Sequence, residues 1–185
     1  MRTAEEIIKD IDNVDTMMIK GCYQAGRGDI DTISLRKQRE SLENELCLAR
    51  SVLVASNDEL DIYEQRKYKE HYIYYVVLHD TTSIVGFVYA NYGDGPHVIG
   101  NVGYEIYRKY RGNGYTKKAL ELLCDVFLDR GMEMSVIVIH PGNIASVKTT
   151  EGFGGVLVKK SSTDYGTNVY NVDIRQKVLK RQAVK

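Results

Sequence analysis

Between Val102 and Val126 the chain changes its hydrophobic period once, and this change restricts its architecture more than any other feature. Val98 to Tyr107 (VIGNVGYEIY) reads as a strand from its β-branched and aromatic content, with Gly100 and Gly103 inside it. Interior glycines in a strand mark a bulge or a close approach by another backbone. A glycine turn follows, Arg111 to Gly114. Beyond it Ala119, Leu122, Leu123 and Val126 recur at helical spacing, with Lys117, Glu121, Asp125 and Asp129 as the opposite polar row and Gly131 as the stop. The next run, Met134 to Ile139 (MSVIVI), is nearly all apolar, as in a strand covered on both faces. Strand, turn, helix and strand in this order belong to an α/β fold with a mixed sheet.

The flanking segments extend the pattern. Ile7, Ile11, Val14 and Met18 predict a first helix, with Thr3 and Glu6 spaced as a capping box. The glycines of CYQAGRGD (Cys22 to Asp29) break it, and a second helix carries Leu42, Leu46, Ala49 and Leu53 on one face. The charge-rich stretch Asn57 to Lys69 reads as a loop or frayed helix. Tyr72 to Leu78 and Ser83 to Tyr92 read as a hairpin, followed by a Gly93-Asp94-Gly95-Pro96 turn. Near the end, Asn143 is placed to cap a short helix, Ile144 to Glu151. Strands over Gly155 to Lys159 and Thr167 to Ile174 lead into a basic, solvated tail, Arg175 to Lys185.

Composition excludes several functional classes. The 185 residues carry 25 basic and 25 acidic side chains, which argues against a nucleic-acid footprint spread over the surface. No apolar run reaches the roughly 18 residues of a membrane span. Cys22, Cys47 and Cys124 are odd in number and far apart, and His71, His79, His97 and His140 are dispersed, so neither a disulfide framework nor a metal site is indicated. A reduced, cytoplasmic setting follows as the expectation.

The turn itself carries the chemistry. Glycines between a strand and a helix let several N–H groups point outward at the positive end of the helix, which holds phosphate without a particular side chain. Taken alone, they suit a plain tight loop as well. Neither the P-loop pattern nor the dinucleotide pattern fits, since Lys117 stands where the latter needs its third glycine.

Val102 to Leu123 (VGYEIYRKYRGNGYTKKALELL) resembles the acetyl-coenzyme A (acetyl-CoA) binding segment of the GCN5-related N-acetyltransferases, the GNAT family. Arg111, Gly114 and Thr116 fill the places of its Gln/Arg-x-x-Gly-x-Gly/Ala signature, with Thr116 departing from the usual small residue. Asn143 to Leu157 (NIASVKTTEGFGGVL) is similar to the family's later Asn-x-x-Ser segment. The resemblance covers about Tyr72 to Ile174. It implies a mostly antiparallel sheet splayed between two central strands, helices on both faces and a helical N-terminal region. The whole chain then forms one domain: a helical part (1–57), a core (72–174) and a tail (175–185).

The same resemblance implies the site. The amides of Arg111, Gly112, Asn113, Gly114, Tyr115 and Thr116 should hold the pyrophosphate. The strand around Tyr104 and Ile106 should pair with the pantetheine arm, while Asn143 and Ser146 lie beside it. The implied reaction is direct acetyl transfer from acetyl-CoA, without a metal, to a primary amine of a small molecule or a protein. Two places depart from the family pattern. Thr150 stands where many members keep an acidic Tyr, and the place of a Glu or His base falls near Gly100. Glu105, Tyr170 and His97 are the substitutes to examine for proton transfer. The alternative is a non-catalytic acyl-CoA-binding module. Neither nucleic acid nor membrane is an expected partner, and a homodimer through the helices or last strands is admitted without being required.

Overall fold

The computed structural model describes residues 2–23, 32–93, 100–162 and 166–183. Helices α1 (Ala4–Tyr23) and α2 (Thr32–Ala49) form as their spacing predicts. The capping box is present: Thr3 N–H donates to Glu6 Oε2 (2.8 Å) and Glu6 N–H donates to Thr3 Oγ1 (3.3 Å). Ile7 and Val14 close on Leu35 and Leu42 in a small core between the two helices. The sequence reading carries the second helix too far. It stops at Ala49, and Leu53 lies exposed on the next strand.

Strands β1 (Val52–Ser56), β2 (Leu60–Tyr68), β3 (His71–Leu78), β4 (Ile84–Asn91) and β5 (Val102–Ile106) make an antiparallel sheet in that order. Strand β2 corrects the expected loop over Asn57 to Lys69. Its charges look like a loop's because their partners are remote in sequence. Arg130 donates to both carboxylate oxygens of Glu64 (2.6 and 2.7 Å), while Asp61 accepts from Ser56 Oγ (2.5 Å) and pairs with His79 Nδ1 (2.9 Å). Strand β5 begins four residues later than expected. Gly100, at φ +84°, lies just before it, and residues 98 and 99 fall outside the described segments.

Helix α3 (Tyr115–Asp129) leads to β6 (Met134–Ile139), and α4 (Ile144–Gly152) leads to β7 (Val156–Lys159) and β8 (Asn168–Asp173). These three strands form a second antiparallel sheet in the order β6-β8-β7. Strand β6 alternates, with Ser135, Ile137 and Ile139 buried and Met134 exposed, so it is not covered on both faces. Helix α3 buries Ala119, Leu120, Leu123 and Phe127 in the main core, leaving Leu122 and Val126 at the edge of that face. Burial of large apolar side chains is worth about 1.5–3 kcal/mol each. On the opposite face of the first sheet, Leu48 of α2 packs with Val77 and Ile84. Helices therefore cover both faces.

The expected solvated tail is a helix, α5 (Ile174–Ala183). Val178 is buried, Lys177 binds Glu121 (2.9 Å), and Arg181 pairs with Asp125 and donates to the Glu121 carbonyl (3.1 Å). The polar row of α3 thus pairs with Lys177 and Arg181 of the basic segment. No described helix is long and apolar enough to cross a membrane.

Candidate active site

The site starts where the two sheets meet. Asn101 joins them: its N–H donates to the Val136 carbonyl (2.9 Å), its Oδ1 accepts from Val136 N–H (2.7 Å), and its Nδ2 reaches the Met134 carbonyl (3.4 Å). Beyond this clasp β5 and β6 belong to separate sheets. Asn91 N–H donates to Asn101 O, and Tyr107 N–H donates to Val85 O, each at 2.9 Å. The Asn101 carbonyl and the Tyr107 N–H therefore face β4. By alternation along the strand, the main-chain groups of Val102, Tyr104 and Ile106 face the gap. The Ile106 carbonyl accepts from Arg111 Nε (2.9 Å).

The loop after β5 is braced by main-chain and side-chain hydrogen bonds of its own. Tyr110 N–H donates to the Tyr107 carbonyl (2.8 Å), and Asn113 Nδ2 donates to the Tyr110 carbonyl (3.0 Å). Gly114, at φ +72°, is the N-cap of α3, and no side chain caps that helix. This left-handed backbone is open to glycine and costly for most other residues. The first amides of α3, from Tyr115 and Thr116 onward, thus keep the positive end of the helix free of any side-chain acceptor.

Facing this loop across a cleft of about 710 Å³ is the start of α4. Asn143 caps it, accepting from Ser146 N–H at 3.2 Å. Tyr104, Ile106, Arg111, Gly112, Gly114, Tyr115, Thr116, Asn143 and Ser146 all line the cleft, and Lys117 and Lys148 add positive charge. Asn113 braces the turn instead of lining it. Nine of the ten expected cofactor residues therefore line one cleft.

The proton-handling candidates separate. Glu105 lines the cleft, is 54% exposed in its side chain and lies 3.9 Å from Arg111 Nη2. On β5 it faces Phe87 of β4, in a cross-strand row that continues to Tyr75 and Tyr63. Tyr170 is buried in the core, opposite Ile137 and Leu157, and does not line the cleft. His97 lies outside the described residues. At Gly100 a Cβ would sit 3.0 Å from Val138 Cγ2 and 3.2 Å from the Val136 carbonyl, and the backbone is left-handed at φ +84°, so a side chain there would be both strained and crowded. Thr150 is fully buried. Burial pushes the phenol of Tyr104 above its ordinary range, outweighing its hydrogen bonds to Thr150 and Ser146.

Sequence reasoning missed Asn101, whose side chain caps the free edge of β6. The Gly100-Asn101 pair inside an apparent strand was its only local sign. Among the described residues no group of His, Cys, Asp or Glu side chains could hold a metal.

This arrangement meets an independent finding: the acetyltransferase (GNAT) domain profile matches residues 28–156. The chain belongs to this family of N-acetyltransferases. Three solved structures have a similar fold. They are an acetyltransferase from Agrobacterium tumefaciens (25% identity, 55% of this chain and 60% of that one, TM-score 0.47), the GNAT domain of S. lividans PAT (17%, 59% and 64%, 0.48) and a GNAT-family acetyltransferase from Bacillus anthracis (16%, 56% and 66%, 0.43). The chain spans less than two thirds of each. No curated protein matches it in sequence.

Proposed function

We propose that the chain is an acetyl-CoA-dependent N-acetyltransferase that moves an acetyl group directly to a primary amine of a small molecule or a protein. The observation that carries this reading is the uncapped N-terminus of α3 opening into the cleft beside the gap-facing edge of β5. These residues suit the group. Helix amides, with Arg111, Lys117 and Lys148 nearby, complement a diphosphate, and the outward groups of Tyr104 and Ile106 offer an amide arm a strand edge. When bound, acetyl-CoA supplies the activated acetyl as a thioester.

The chain's own residues do the rest. The clasp at Asn101 ties β5 to β6 at one end only, and beyond it the two strands belong to separate sheets, which leaves the arm an unpaired edge. Glu105 sits at the cleft with the aromatic row of Phe87, Tyr75 and Tyr63 behind it. Its carboxylate attracts the acceptor as an ammonium and takes up one proton, leaving a neutral nitrogen to attack. In the bound complex the new N–C bond would form as the C–S bond breaks; the nitrogen would pass its second proton, directly or through water, to the departing sulfur, and Glu105 would release the first to solvent. Tyr170, buried beneath the second sheet, takes no part in this sequence. The setting is cytoplasmic.

Calorimetry with coenzyme A, followed by thiol release over a panel of amines, tests the reading. Binding with turnover on at least one amine is expected. Binding without turnover on any amine would make the chain an acyl-CoA-binding module, a reading that Thr150 and the closed position at Gly100 favour.

A further inference from the structure

Tyr104 does more than line the cleft. Its side chain spans from β5 to α4, where its hydroxyl lies 3.1 Å from the Ser146 carbonyl and 2.8 Å from Thr150 Oγ1. A carbonyl only accepts, so the phenol donates to Ser146 and the Thr150 hydroxyl donates to the phenol oxygen. Ser146 and Thr150 are one helical turn apart and present a matched pair of groups.

Thr150 is fixed from behind. Gly155 N–H donates to the Thr150 carbonyl (2.8 Å), and a Cβ on Gly155 would fall 2.5 Å from Thr150 Cγ2 and 2.8 Å from its carbonyl oxygen. Only a residue without a side chain lets the chain entering β7 press so closely on α4. The run Gly155, Thr150, Tyr104 is therefore a continuous line of contacts from β7 through α4 to the gap edge of β5.

We infer that Tyr104 and Thr150 form a strut that fixes the spacing between β5 and α4, and so positions the arm of the bound coenzyme without touching the diphosphate cradle. The inference rests on the proposed cofactor reading. Tyr104 and Thr150 are positioning residues in this account. Thr150 has no exposed surface to offer a ligand, so it acts only through Tyr104.

The test compares coenzyme A with adenosine 3′,5′-bisphosphate, which lacks the arm, on Tyr104→Phe, Thr150→Val, Thr150→Ser and the Phe/Val double variant. Tyr104→Phe and Thr150→Val should each weaken coenzyme A about fivefold, the scale of one net hydrogen bond. The double variant should be little worse than either single one, as coupled residues behave. Thr150→Ser should restore wild-type affinity, and the bisphosphate should bind all four variants as it binds the wild type. Wild-type affinity for coenzyme A in both single variants would overturn the strut, as would equal weakening of both ligands. If the wild-type protein binds no coenzyme A, the cofactor reading itself fails and the strut falls with it.

Discussion

Helices α3 and α4 both begin at the cleft, and their N-termini are built in opposite ways. In α4, Asn143 supplies an acceptor for the free amide of Ser146, so the helix end is satisfied from within. In α3 the cap is a left-handed glycine with no side chain to offer, and the amides face open space. A glycine in place of a capping side chain gives up only a few tenths of a kcal/mol, so the open end costs the fold little. An end left open in this way has electrostatic value only if a ligand supplies the negative charge. On the proposed reading, the difference separates a helix that holds the wall of the cleft from one left open for an anion.

The sharpest way to break this contrast is to give α3 an anion of its own. Gly114→Asp places a carboxylate at the helix end, and Asp tolerates a left-handed backbone better than most residues. Coenzyme A affinity should fall by more than about 100-fold, the scale of a lost charge-assisted anion site, while the circular dichroism spectrum stays that of the wild type. Retained affinity in calorimetry would show that the open amides do not bind.

At the other end of α4, Gly155→Ala forces a methyl group into Thr150. Overpacking of this kind costs about 1–3 kcal/mol, equal to a drop of several degrees in melting temperature. A melting temperature within a degree of the wild type would mean that α4 is free to shift. Asn143→Ala should cost about 1 kcal/mol, roughly 2–4 °C, because α4 loses its cap. Since α3 is unaffected, bisphosphate binding should persist, and its loss would erase the division of labour between the two helices.

The smallest effect lies away from the cleft. His79 is raised above its ordinary range, first by its hydrogen bond to Asp61. Burial alone would raise Asp61, but hydrogen bonds from Ser56 and His79 outweigh it and hold the carboxyl low. The raised histidine contributes stability below its unfolded value of about 6.5, and this is lost as pH rises through its folded value. The lowered carboxyl contributes above its unfolded value of about 3.9, a contribution lost as pH falls through its folded value. Denaturant midpoints should therefore decline slightly from mildly acidic to alkaline pH. His79→Gln should flatten that decline, and an unchanged slope would assign it to another group.

The order of elements from Tyr72 to Asp173 and the glycine loop that opens α3 were legible because their signals are local. Periodicity, glycine turns and the Asn143 cap all lie within a few residues of what they specify. Strand β2 was not legible, because the groups that make its charges tolerable, Arg130 and His79, come from other parts of the chain. The same holds for α5, whose cations are matched only once α3 lies alongside. Within the site, most of the residues that the family pattern picks out line the cleft, whereas Tyr170 does not. Its alternation on β8 is equally compatible with facing the core, where the side chain is buried. The clasp at Asn101 and the strut from Tyr104 to Thr150 join residues 35 and 46 positions apart, beyond the reach of any local pattern.

A titration of isotope-labelled protein with coenzyme A, followed through its backbone amide signals, tests the central claim most directly. The account predicts the largest shifts at Gly114, Tyr115 and Thr116, with a second set at Tyr104 and Ile106 and little change on β1 or β2. Shifts centred elsewhere, or none at these five amides at saturating ligand, would contradict it.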